Sequence, residues 1–213
     1  MARATKPPPP KTGGPPPFVL IATAFAGILV LVAGVLIGLA FRDQANGVAG
    51  SPLAGAFGGK FSLVDQNGKP FTDADLKGKW NLVFFGYTHC PDVCPTALND
   101  LSLALDQLGA KEKDVGIVFI TVDPERDTPA VLKSYVESFG GPIKALTGTP
   151  EQVAQAAKDY KVYYAKHKLP DGGYDMDHSA LIYIMDPLGH FTATFTPDDT
   201  SDKMVARLKK LVG

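Results

Sequence analysis

The chain has 213 residues, 21 basic against 22 acidic side chains, a formal charge of −1, 45% hydrophobic residues and two cysteines. That length leaves room for one sizeable domain plus attachments, and two cysteines are too few to staple such a domain, so packing must hold it and the pair is free for chemistry. No basic patch with interleaved aromatics runs through the chain, which argues against a nucleic-acid partner.

Residues 1–17 carry Pro7 to Pro10 and Pro15 to Pro17 with Arg3, Lys6 and Lys11. Such a segment cannot form helix or sheet, and we expect a disordered cytoplasmic tail. Residues 18–41, from Phe18 to Phe41, are an uninterrupted run of apolar or small residues. At about 1.5 Å per residue the run crosses a hydrocarbon core of about 30 Å, so it reads as a transmembrane helix. The basic side chains before it predict a cytoplasmic N-terminus with the remainder exported. A cleaved signal peptide is the alternative; the run exceeds the usual apolar stretch of about 7 to 15 residues, yet Gly47-Val48-Ala49 offers a small-residue cleavage site. The short leader lacks the long arginine- and serine-rich presequence of mitochondrial import, which points to a bacterial inner membrane with the C-terminal domain in the periplasm. Residues 42–59, rich in Gly and Ala, read as a flexible linker, and the folded domain occupies 60–213.

Phe61 to Asp65 and Pro70-Phe71 flank an Asn67-Gly68 turn and predict a small hairpin. Trp80 to Tyr87 is a buried-strand pattern broken at Gly86, after which Cys90-Pro91-Asp92-Val93-Cys94-Pro95 opens a helix. Leu98, Leu101, Leu105 and Leu108 give that helix an apolar face. Val115 to Val122 is a second continuous strand ending at Asp123-Pro124. Thr128-Pro129 caps a helix with Val131, Leu132, Tyr135, Val136 and Phe139 inward, and Thr149-Pro150-Glu151-Gln152 is a capping box for a helix burying Val153, Ala156, Ala157 and Tyr160. Lys161 to Lys166 reads as a short strand, and His167 to Asp177, with Pro170, Gly172 and Gly173, as a mobile loop. Ala180 to Met185 and His190 to Phe195 are strands about a turn at Asp186 to Gly189; Ser201 caps a last helix with Met204, Val205, Leu208, Leu211 and Val212 inward. Strands alternating with helices and an antiparallel finish predict a mixed α/β sheet flanked by helices on both faces. Active residues of such sheets gather beyond the carboxyl ends of the parallel strands, where Cys90 and Asp123 both fall.

A helix N-terminus favours thiolate over thiol, and Cys90 and Cys94 are four apart, neighbours on one face if the first turn forms there. The pair can close a disulfide or chelate one soft ion; a passive structural pair is the bland reading. Copper(I) prefers thiolate and imidazole, and two thiolates leave a place for a third ligand. Of four histidines His178 is the best candidate, at the end of the expected loop, with Asp175 and Asp177 placed to accept its other ring N–H. Its bland reading is a solvated or capping residue. His89 could lower the pKa of Cys90 or be a turn residue, and His167 and His190 read as exposed. Asp123 is a turn-former or a charge near the thiolates, and Met176 is a remote option for a fourth soft ligand. Zinc fits less well, since two thiolates and one histidine leave its tetrahedron incomplete.

Phe85-Gly86-Tyr87-Thr88-His89-Cys90-Pro91-Asp92-Val93-Cys94-Pro95, then Thr121-Val122-Asp123-Pro124-Glu125-Arg126-Asp127-Thr128-Pro129, then Asp175-Met176-Asp177-His178-Ser179 closely resemble the Sco/SenC family of membrane-anchored copper proteins. The resemblance covers the body from about Phe61 to Val212 and the N-terminal span. It implies a thioredoxin-like fold, Cys90, Cys94 and His178 as ligands of Cu(I) and of Cu(II), and Asp123 as a nearby functional acid. It also implies delivery of copper to the binuclear copper centre of cytochrome c oxidase, or reduction of the cysteines of that centre. The expected partners are the oxidase subunit carrying that centre, other periplasmic copper chaperones or thiol reductants, and the membrane through one helix. A metallochaperone rather than a turnover enzyme is expected. A plain disulfide reductase would use Cys-x-x-Cys with a cis-proline where this chain has His178, and a peroxiredoxin would not place a second thiol beside the first.

Overall fold

The computed structural model describes residues 55–170 and 172–213, with Gly34 before them. The expected tail, membrane span and most of the linker lie outside the described residues, among which no helix is long and apolar enough to cross a membrane. The strands are β1 (Ser62–Asp65), β2 (Pro70–Thr72), β3 (Trp80–Gly86), β4 (Val115–Thr121), β5 (Ile143–Thr147), β6 (Tyr164–Lys168), β7 (Tyr174–His178), β8 (Ile182–Met185) and β9 (Phe191–Phe195). The α-helices are α1 (Val93–Asp106), α2 (Pro129–Glu137), α3 (Pro150–Asp159) and α4 (Ser201–Leu211).

Among the described residues, seven strands form one sheet in the order β2-β1-β5-β4-β3-β8-β9, and β6 pairs with β7 in a separate two-stranded sheet. The centre is parallel, with β4 between β3 and β5, and the flanks β1 and β8 join antiparallel. Every residue of β4 is buried, as is all of β3 after Trp80, so both faces of the sheet are covered. This is the mixed, thioredoxin-like α/β arrangement expected. Leu98, Leu101 and Leu105 turn the buried face of α1 inward, and α1 packs beside α4. The two Thr-Pro caps form as read: Thr128 and Thr149 accept from Val131 and Gln152 backbone N–H groups, and Gln152 completes the box.

Four local expectations change. Ile143–Thr147, unread as a strand because Lys144 interrupts its apolar pattern, is β5 in the middle of the sheet; Lys144 reaches out to Asp65 at 3.1 Å. The stretch 167–177 is not a loop but the arms and turn of a hairpin, Tyr164 pairing with His178 and Lys168 with Tyr174. Alternation is hidden there by lysines and acids on an exposed ribbon. Val131 is solvent-facing, because α2 spans only nine residues and buries Leu132 and Val136 alone in full. The N-cap of α4 is Thr200 rather than Ser201.

Candidate metal centre

β3 ends at Gly86, the chain turns through Tyr87 to Asp92, and α1 starts at Val93. Cys94 therefore lies in the first helical turn and is fully buried, while Cys90 precedes the helix, half-buried in the turn. The face-sharing expected of one continuous helix does not occur; instead the turn folds back so that the Cys94 amide donates to the Cys90 sulfur at 3.4 Å. Glycine at position 86 makes room. A Cβ there would stand 2.7 Å from the Cys94 sulfur and 2.8 Å from the Phe119 ring, closer than such atoms approach.

His178 ends β7, and its Nε2 comes to 3.4 Å from the Cys94 sulfur. The two sulfurs and a ring nitrogen of His178 all lie within 4.8 Å of one another. With ligand bonds of about 2.0–2.3 Å, donors on one ion stand roughly 4 Å apart, so the triangle suits a soft ion with little adjustment. The ring is set edge-on against Tyr87 and Phe84, at centroid distances of 5.8 and 6.1 Å. Its Nδ1 faces the carbonyl of Ser179 at 3.1 Å, which leaves Nε2 as the free ligand atom. Neither aspartate expected to orient it does so: Asp175 accepts from the Tyr87 hydroxyl, and Asp177 pairs with His167 at 2.6 Å.

The thiols are unlike. A hydrogen bond from Cys94, with nearby backbone N–H groups, brings the Cys90 pKa down to about 4 against the cost of burial. Cys94, as that donor and buried, is pushed far up. The metal-free pair thus holds one proton, which a cation binding both sulfurs must displace. His89, exposed and bonded to Thr88, is a turn residue. His167 and His190 are exposed and paired with Asp177 and Asp186. Met176 is buried in the hydrophobic core and belongs to its packing.

Asp123 is buried at the end of β4, but it is already engaged: it pairs with Arg126 and accepts from the Tyr174 hydroxyl at 2.9 Å. The sequence reading passed over the carboxylate that braces the cysteine turn, Asp127. It is fully buried and accepts from Thr121 Oγ1 at 2.5 Å, Thr88 Oγ1 at 2.6 Å and the Thr88 amide at 3.1 Å. Burial nonetheless pushes its carboxyl up. Parallel pairing sets Gly86 opposite Thr121, so the two threonines meet one acid only once the strands are aligned. Tyr87, Arg126 and Tyr174 were likewise missed as supports of the site. Arg126 pairs three residues back in a turn, a signal the sequence offered, whereas the other two need the hairpin.

A family model described as SCO1/SenC matches residues 49–213. The SCO1 homolog 1 of Arabidopsis thaliana, a mitochondrial protein, is 42% identical over 156 residues, covering 72% of this chain. The match takes in 47% of that protein, so the chain spans about half the length of this curated relative. The structure of Bradyrhizobium japonicum ScoI with copper bound aligns at a TM-score of 0.69 with 49% identity, covering 73% of this chain and 99% of that one. The structure of BsSco aligns at a TM-score of 0.59 with 26% identity, covering 76% and 96% of the two chains. BsSco is described as a member of the Sco family of cytochrome c oxidase assembly proteins with a disulfide switch.

Proposed function

The chain belongs to the SCO1/SenC family, and from that premise we propose that it is a membrane-anchored copper chaperone for the binuclear copper centre of cytochrome c oxidase, binding copper through Cys90, Cys94 and His178. The observation that carries the reading is the convergence of two sulfurs and one ring nitrogen within 4.8 Å, from two distant places in the chain. Thiolate and imidazole suit copper(I), and the copper-bound relative supports the choice of ion. The apolar run 18–41 supports the anchor and an exported domain. Cys90 offers a thiolate at the surface, Cys94 gives up its proton as the second sulfur binds, and Nε2 of His178 completes the set. Delivery then proceeds by stepwise exchange of these ligands for those of the recipient, which keeps the ion out of water. Cu(II) is held by the same three residues with an oxygen ligand added. Asp123 acts indirectly, through Arg126 and Tyr174.

A second reading, reduction of the recipient's cysteines, draws on the unequal thiols: an accessible thiolate attacks a disulfide, and a buried neighbour resolves the mixed disulfide. Titration of the reduced chain with Cu(I) beside a competing chelator, followed by an insulin-reduction assay, separates the two. Tight stoichiometric binding with feeble reductase activity favours delivery. Absence of Cu(I) binding with fast reduction sinks it.

A further inference from the structure

Resting on the reading of His178 as a ligand, a second question is what keeps its ring at the sulfurs. β6 and β7 form no ladder with the main sheet, so backbone hydrogen bonds of that sheet do not position them. Met176 of β7 packs into the core, and side chains from the turn after β4 add the polar attachment. Tyr174, four residues before His178, has the Arg126 guanidinium and the Lys166 ammonium each 3.8 Å from its ring centroid. Its hydroxyl donates to Asp123 at 2.9 Å, and its carbonyl accepts from Arg126 Nη1 at 3.1 Å. Arg126 is itself paired with Asp123, and Lys166 on β6 with Glu125 at 2.6 Å. Arg126 Nη2 is buried with no hydrogen-bond partner among the described residues, and the guanidinium carrying it is stacked on an aromatic ring.

We propose that Tyr174 and Arg126 are positioning residues of the metal centre, a clip that fastens the β6–β7 hairpin to the Asp123–Asp127 turn and thereby holds His178 at Cys90 and Cys94. Both ends of the clip are rooted in the site's own framework. The turn continues β4 and carries Asp127, which braces the cysteine turn; the hairpin arm carries Asp175, which accepts from Tyr87. Opening the clip lets the imidazole leave while both sulfurs stay where the main sheet puts them, so its state governs how fast a bound ion is released rather than whether the thiols bind.

The test is a double-variant cycle on the full-length reduced chain, with Cu(I) dissociation followed by capture in bathocuproine disulfonate. Tyr174→Leu should speed release about tenfold, the effect of one or two such contacts, and Tyr174→Phe, which keeps the ring, by less. Arg126→Lys, which keeps the charge but not the fork, should fall between the wild type and Arg126→Met. In a His178→Ala background Tyr174→Leu should add nothing. Equal acceleration with and without the imidazole, or none with it, overturns the clip. Hydrogen exchange on the metal-free chain supplies a readout independent of copper: the amides of β7 should exchange faster in Tyr174→Leu and those of α1 should not. Unchanged β7 exchange overturns the proposal, whereas a wild type that fails to retain Cu(I) sinks the chaperone reading and leaves the exchange result to judge the clip. If Tyr174→Leu does not fold, Tyr174→Phe and Arg126→Lys carry the same comparison.

Discussion

The two halves of the metal centre are built on different principles. The sulfurs sit at the junction of β3 and α1, inside a sheet whose central strands are buried on both faces, with Cys94 itself a core residue. The imidazole sits on a ribbon outside that sheet, anchored by Met176 in the core and fastened further by polar side chains: Tyr174 to Asp123 and Arg126, Asp175 to Tyr87, Lys166 to Glu125. Packing energy makes the first half costly to disturb. A few polar and cation–π contacts, each worth about 0.5–2 kcal/mol, make the second adjustable. The proposed delivery of copper, which needs a grip followed by a release, fits ligands divided this way.

The comparison breaks most completely if the sulfur half is removed. A Cys90→Ser, Cys94→Ser double variant should lose stoichiometric Cu(I) altogether by chelator competition; retained copper would mean that the site lies elsewhere. Next comes the imidazole. His178→Ala should cost about 100-fold in Cu(I) affinity, the upper end of what ligand-orienting partners cost. Its thermal midpoint should fall little, since the ring is half-buried at the rim of the core beside Phe84 and Tyr87. A large fall in stability would merge the two halves. Gly86→Ala should act on the sulfur half alone, because its Cβ meets the Cys94 sulfur at 2.7 Å. Overpacking there should destabilise by about 1–3 kcal/mol in denaturant titration.

The smallest effect concerns protons. Alkylation of the metal-free chain by iodoacetamide should modify Cys90 before Cys94, with a rate that falls only as the pH approaches about 4. Because the folded pKa of Cys90 is depressed, its contribution to stability is complete above the unfolded thiol's pKa and is lost as the pH falls through about 4. Equal rates at the two thiols would erase the asymmetry on which the proposed ligand exchange rests.

Local signals carried much of the fold. The unbroken apolar runs of β3 and β4, the leucine face of α1 and the Thr-Pro caps are all properties of neighbouring residues, and they appear where expected. Lys144 misled because a single lysine reaching out from an otherwise buried strand breaks the apolar pattern, and 164–178 misled because an exposed ribbon need not look apolar. Of the site, the Cys-x-x-x-Cys turn was legible because its residues are adjacent. His178 was legible as a candidate only. The partners of Asp175, Asp123 and Asp127 were not, since each acid bonds to groups brought from another strand or turn.

Spacing and composition by themselves determined that this chain has a buried parallel core, a thiol pair at a strand-to-helix turn and one apolar run before the domain. Only the tertiary structure decided that the third donor atom reaches the sulfurs, that Cys94 is buried while Cys90 stays half-exposed, and that an arginine stacks on a tyrosine of the arm carrying the imidazole. The division is physical. Helix and strand propensity act over a few residues, whereas a hydrogen bond or a ligand set across 84 residues exists only after the sheet has put its members side by side.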